Sequence, residues 1–192
     1  MQISGIFLCV ATSILLYGMN TPAGIPFDYT TDTTIINPAE NEKLQWLTLA
    51  EAEAKIASQK KAIVIDLYTD WCGWCKVMDR NTYTNAHVIQ YVHKNFYPVK
   101  LNAETKEILT WRGRQYKYNE NYRVNDYAIL LTGGQLSYPS TVILPADGSA
   151  PQVIPGYLKP PDMELILKYF GEGHYGKTPF EQYRKNFVQT WK

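Results

Sequence analysis

Ile63-Val64-Ile65-Asp66-Leu67-Tyr68-Thr69-Asp70-Trp71-Cys72-Gly73-Trp74-Cys75-Lys76 is the stretch whose reading decides the fold. Its opening run, Ala62 to Thr69, is apolar and β-branched, the pattern of a central strand buried on both faces. A Cys-x-x-Cys follows where a helical pattern begins. A strand aimed at a helix N-terminus delivers its last loop residues to unpaired N–H groups and the positive end of the dipole, a field that favours a thiolate over a thiol. Two cysteines on such a first turn can close a small disulfide and reopen it. The stretch reads as a redox switch.

Composition narrows what surrounds it. A chain of 192 residues suits one domain with additions and a core that needs no staples. The formal net charge of +1 gives no electrostatic case for a nucleic-acid partner. Fifteen tyrosines and five tryptophans suit broad amphipathic contact surfaces, or equally a tyrosine-packed core. There are three cysteines, and the third, Cys9, lies in an apolar run, which excludes a disulfide-stapled framework. Zinc would need two further ligands. Cys9, His87, His93 and His174 form no second Cys-x-x-Cys and no paired-histidine pattern, so redox chemistry is preferred and no metal is expected.

Residues 1–20 read as a signal peptide or an uncleaved N-terminal anchor, because Ile3 to Met19 is apolar and uncharged and the loop-like Asn20-Thr21-Pro22-Ala23-Gly24 follows at once. Residues 21–45 read as a linker, with one short strand around Thr34-Ile35-Ile36. Either reading of the leader puts the remainder in a periplasmic or other extracytoplasmic compartment, where disulfides exist to be acted upon.

Thr48-x-x-Glu51 is a capping-box pattern opening a helix to about Lys60, with Leu49, Ala50, Ala54 and Ala57 as its inner face. After the Cys72 helix, Asn85 caps a stretch with Val88, Ile89, Val92 and Phe96 inward, and Tyr97 to Asn102 is the next strand. Ile108 to Tyr118 reads as a hairpin turning at Arg112-Gly113. A helix is expected from Val124 to Leu131, then a strand from Tyr138 to Leu144, a turn at Ala146-Asp147-Gly148 and a return strand from Gln152 to Tyr157. Pro160-Pro161-Asp162 opens a helix with Met163, Ile166, Leu167 and Phe170 at one face and Gly171 at its end. A last helix, 178–190, presents Phe180, Tyr183, Phe187 and Val188.

This order, with Cys-x-x-Cys after the first core strand, resembles the thioredoxin superfamily. The segment Asp66 to Lys76 is similar to its active-site segment, and closer still to exported bacterial thioredoxin-like proteins and the thioredoxin-like domain of the transmembrane disulfide reductase. Val99-Lys100-Leu101-Asn102 resembles the family's next strand, and Tyr138-Pro139-Ser140-Thr141 its cis-proline loop. The resemblance implies an α/β thioredoxin fold over 46–192: a central mixed sheet flanked by helices, a core at 47–170, an inserted hairpin at 108–118 and a C-terminal helical extension. It also implies roles. Cys72 would be the exposed nucleophile, with a pKa of about 3.5 to 7 against about 8.5 for a free thiol, and Cys75 the resolving thiol. Asp66, costly to ionise inside a buried strand, would take the proton of Cys75 through water, with Lys100 near it. Trp71, Gly73, Trp74, Tyr138 and Pro139 would bind substrate, the backbone of Tyr138 pairing with a substrate strand. Trp74 stands where typical thioredoxins have proline.

The function implied is an exported protein-disulfide reductase, monomeric, with protein thiols and disulfides as substrates and no cofactor beyond the Cys72–Cys75 pair. A separate thiol electron donor, membrane-bound or soluble, would recharge it. An oxidase or isomerase, and a non-catalytic binding protein on the same scaffold, are the alternatives.

Overall fold

A computed structural model describes residues 43–191; the leader and most of the linker, with its strand around Thr34, lie outside the described residues. The organising element is β1 (Ala62–Tyr68), every residue of which is buried between its two ends. Its side chains alternate between two cores. Ile63, Ile65 and Leu67 join Val99, Leu101, Tyr127, Leu131 and Val142 on one face of the sheet. Val64 joins Met78, Val88, Phe96, Ile143, Met163 and Leu167 on the other. Each fully buried aliphatic side chain stabilises the fold by roughly 1.5–3 kcal/mol relative to an exposed one. By the same two-residue period Asp66 shares the face of Val64.

The sheet runs in the order β2 (Phe96–Asn102), β1, β7 (Ser140–Leu144), β8 (Gln152–Pro155). β1 and β2 are parallel, with Asp66 opposite Lys100. β7 is antiparallel to β1, with Leu67 opposite Ser140 and Ile63 opposite Leu144. This register places the start of β7 beside the end of β1, which feeds the Cys-x-x-Cys loop. The far end of β7, at Leu144, lies at the opposite end of the sheet.

α1 (Leu49–Ser58) has the expected reciprocal capping box between Thr48 and Glu51. Its inner face differs from expectation: Ala50, Ala54 and Ala57 are exposed, while Leu49 and Ala52 are buried and Ile56 packs on the core. The phase is set by Leu49, and 49, 52 and 56 follow it at helical spacing. α2 (Gly73–Asn81) and α3 (Ala86–Asn95) cover the second face with α5 (Pro160–Gly171).

The hairpin forms as β3 (Leu109–Trp111) and β4 (Arg114–Tyr116), with Arg112 and Gly113 both at positive φ in the turn. Val124 is not helical. It pairs with Asn119, as β6 (Val124–Asn125) against β5 (Tyr118–Asn119), and α4 (Asp126–Thr132) begins only after Asn125, whose side chain accepts the Tyr127 N–H. The strand expected from Tyr138 starts at Ser140, and the return strand stops at Pro155.

The C-terminal helix, expected over 178–190, is α6 (Phe180–Asn186) alone. Beyond it the chain is extended, because buried Glu164 on α5 accepts the N–H groups of Thr190 and Trp191, both at 2.8 Å, and holds the tail against the domain. Trp191 is buried there beside Tyr91 and His87, whereas Val188, expected on the sticky face, is exposed.

Candidate active site

Cys72 is the N-cap of α2 and Cys75 lies in its first turn, joined by a disulfide with an S–S distance of 2.05 Å. The Cys75 N–H donates to the Cys72 sulfur at 3.0 Å, so an orphan donor of the helix start already points at that atom. The first turn of α2 carries no acid, which leaves the positive end of the helix field to the sulfur. Cys72 is 4% exposed and not open as expected, because its sulfur turns in to meet both Cys75 and the helix N-terminus.

Around the disulfide the exposed surface is aromatic. Trp71 and Trp74 are 67% and 62% exposed. The Trp71 indole N–H donates to Glu104 at 2.8 Å and its ring meets Tyr138 edge-on, while Trp74 stacks on Tyr157. Tyr138 is held from the other side of the loop: the Tyr138–Pro139 peptide bond is cis, and the Pro139 carbonyl accepts the Gly156 N–H. Burial, then the Glu104 carboxylate, push the Tyr138 hydroxyl up to about 12. A Cβ added at Gly73 would meet nothing within 4 Å, so the space beside the cysteines is open.

One turn along α2 from Cys75, Asp79 joins a charged cluster. The Lys100 ammonium donates to Asp66 at 2.8 Å and also to Asp79, and stands over the rings of Tyr68, Trp46 and Tyr83. Burial works against the ammonium, but the two carboxylates outweigh it and raise Lys100. Asp66 is 1% exposed, and burial raises its carboxyl against the pull of Lys100. The buried Tyr83 hydroxyl interacts with that carboxylate short of hydrogen-bond geometry, and Asp66 Oδ1 has no hydrogen-bond partner among the described residues. One oxygen of a carboxyl with raised proton affinity is therefore free.

A raised folded-state carboxyl favours the fold most at low pH, and that contribution is lost as pH climbs through the raised value. Asp66→Asn is therefore expected to be more stable than wild type at neutral pH. The gap should close below the ordinary Asp value of 3.8. Denaturant unfolding of both proteins at the two pH values checks this.

The structure thus gathers Cys72, Cys75, Trp71, Gly73 and Trp74 in the loop and first turn and Tyr138 against Trp71, and it joins Asp66 and Lys100 to the same helix through Asp79. Asp79, Glu104 and Tyr157 were not anticipated. Asp79 had a signal, since it sits four residues after Cys75 and so one turn along the same helix face. Glu104 and Tyr157 are brought in by tertiary contacts and had none. His93 accepts the Gln45 N–H and His87 stacks on Trp191. Among the described residues no group of three or more metal-binding side chains occurs.

A parallel pair, antiparallel pairs, a helix-capping disulfide and a cis-proline loop whose Tyr138 packs on Trp71 beside it define a thioredoxin-fold chain with a redox-capable site. The comparisons agree with that class. Residues 49–171 match the thioredoxin-like domain family, and the chain belongs to it. The chain is similar to the thiol:disulfide interchange protein DsbD of Pseudomonas sp. (strain JR1 / K1), at 34% identity over 71 residues, 37% of this chain and 11% of that protein. It is also similar to DsbD of Actinobacillus pleuropneumoniae serotype 5b (strain L20), at 46% identity over 44 residues, 22% of this chain and 8% of that protein. The chain thus spans about a tenth of the length of these curated relatives. A solved thioredoxin-fold protein from Helicobacter pylori superposes with a TM-score of 0.50 at 13% identity, covering 77% of this chain and 91% of that one.

Proposed function

We propose that this protein is an extracytoplasmic thiol–disulfide oxidoreductase that reduces protein disulfides. The observation that carries the reading is the Cys72–Cys75 disulfide on the acid-free N-terminus of α2, a helix whose Asp79 is joined through Lys100 to a buried carboxyl with one free oxygen.

In the reduced state the Cys72 thiolate attacks one sulfur of a substrate disulfide. A mixed disulfide forms and the other substrate sulfur leaves as a thiolate. Cys75 then attacks the Cys72 sulfur, the Cys72–Cys75 disulfide closes, and the second substrate thiolate departs. Two electrons have passed from the dithiol to the substrate. The Cys75 proton goes towards Asp66, whose free Oδ1 can accept it through water. Lys100, shared between Asp66 and Asp79, tunes that acceptor. Helix-terminal N–H groups stabilise the Cys72 thiolate at both ends of the cycle.

Substrate would lie in the open space at Gly73, against Trp71 and Trp74, with the Tyr138 backbone as its hydrogen-bonding edge. The direction is taken as reductive from the likeness to DsbD and from Gly73. Export rests on the apolar, uncharged Ile3–Met19 run. A separate thiol donor, membrane-bound or soluble, would recharge the pair, and the working unit would be a monomer.

Replacing Cys75 by Ser removes the resolving sulfur but not the nucleophile. The Cys75→Ser protein is expected to accumulate mixed disulfides through Cys72 with substrate proteins, seen as reductant-sensitive adducts, while wild type reduces insulin. No adducts from Cys75→Ser together with no insulin reduction by wild type would leave only a binding role for the fold. Asp66→Asn is expected to slow resolution on the order of 10²-fold, followed by quenched-flow alkylation across pH.

A further inference from the structure

We propose a second ligand site, remote from the disulfide, for a small carboxylate with a flat apolar body. It is a cavity of about 330 Å³ between the hairpin, α4 and the β7–β8 turn, within the size range of small-molecule sites. Its position follows from the register: Leu144, in its wall, pairs with Ile63 at the start of β1, whereas Cys72 follows the end of that strand. The hairpin is accordingly not a lid over the cysteines.

Leu130, Leu131, Leu144, Pro145 and Pro151 supply the apolar part of a mixed lining, and the aromatic part is Trp111, Tyr116 and Tyr127. Two cations stand among them. The Arg112 guanidinium lies over Trp111 and that of Arg114 over Tyr116. Neither has a carboxylate partner among the described residues. The nearby acid, Glu53, is engaged from the α1 side by the Arg112 backbone N–H at 2.7 Å. Arg112 holds a φ of 51°, a turn position that favours glycine or asparagine, and its guanidinium reaches across to Gly148: a Cβ there would lie 3.6 Å from it. Tyr127, 1% exposed, also lines the cavity, and its buried hydroxyl has no partner among the described residues. Two unpaired planar guanidiniums suit a carboxylate, and the aromatic and leucine walls suit a flat hydrocarbon body behind it.

The test titrates the nitrogen-15-labelled chain with 4-phenylbutyrate, its neutral amide 4-phenylbutanamide, and inorganic phosphate. The acid is expected to bind with a Kd of about 1 mM or tighter, shifting amides of the Arg112–Gln115 and Gly148–Ala150 segments. The amide and phosphate should bind at least about ten-fold more weakly, since each lacks half of the match. Arg112→Gln/Arg114→Gln should weaken the acid by a similar factor and Arg112→Lys/Arg114→Lys by less, with insulin reduction unchanged in both. Equal binding of acid and amide, equal binding of phosphate, shifts confined to other surfaces, or no saturable binding each overturns the site. These wild-type comparisons stand even if a hairpin variant misfolds.

Discussion

Cys72→Ser is expected to lose disulfide-reducing turnover by at least about 10³-fold while remaining folded. In the proposed cycle the Cys72 sulfur at the N-cap of α2 makes the first covalent bond, and Cys75, the one other cysteine among the described residues, lies inside the first turn and has the resolving role. The local structure should survive. Cys72 caps α2 by accepting the Cys75 N–H, and serine is among the best residues at that position. Insulin reduction by wild type, Cys72→Ser and Cys75→Ser, with thermal unfolding of each, separates chemistry from folding. A Cys72→Ser protein that keeps turnover would remove the sulfur from its assigned role.

The second large effect concerns stability. Glu164 is fully buried on α5 and accepts from Lys168, from the Thr190 hydroxyl, and from the N–H groups of Thr190 and Trp191. Burial alone would raise this carboxyl, but those four donors outweigh it and hold it at about 2, against an ordinary 4.5. Glu164→Ala leaves the ammonium and two tail N–H groups without their acceptor, a loss of about 3 kcal/mol. The sign for pH follows from the lowered value. The contribution of Glu164 is complete above 4.5 and is lost as pH falls through about 2. Urea unfolding should show wild type well above Glu164→Ala at pH near neutral, with the difference shrinking across that acid window. Equal stability at neutral pH would mean the tail does not dock through this carboxylate.

Glu164 also shows where sequence reading stops. In the helix pattern Met163, Ile166, Leu167 and Phe170 stand out, and a glutamate among them reads as solvent-facing; it is buried because residues 187–191 fold over it. The last helix is shorter than its pattern for the same reason, since nothing local in Phe187 to Trp191 reveals the acceptor that straightens it. The start of α4 shifted because Val124 found a strand partner at Asn119. By contrast β1, the cysteine pair and the capping box of α1 were legible, because each is decided within a few residues. Asp66 was legible as a buried acid from its place in an apolar strand. Its coupling through Lys100 to Asp79 joins three elements and appears only once β1, β2 and α2 are packed together.

The most direct test of the proposed function is the reduction potential of the Cys72–Cys75 pair, measured by equilibration against glutathione with quantitative thiol alkylation. A reductase of protein disulfides should lie between about -270 mV, the thioredoxin value, and about -200 mV. A value near -120 mV, that of a strong oxidant, or a pair that does not exchange with glutathione at all, would contradict it.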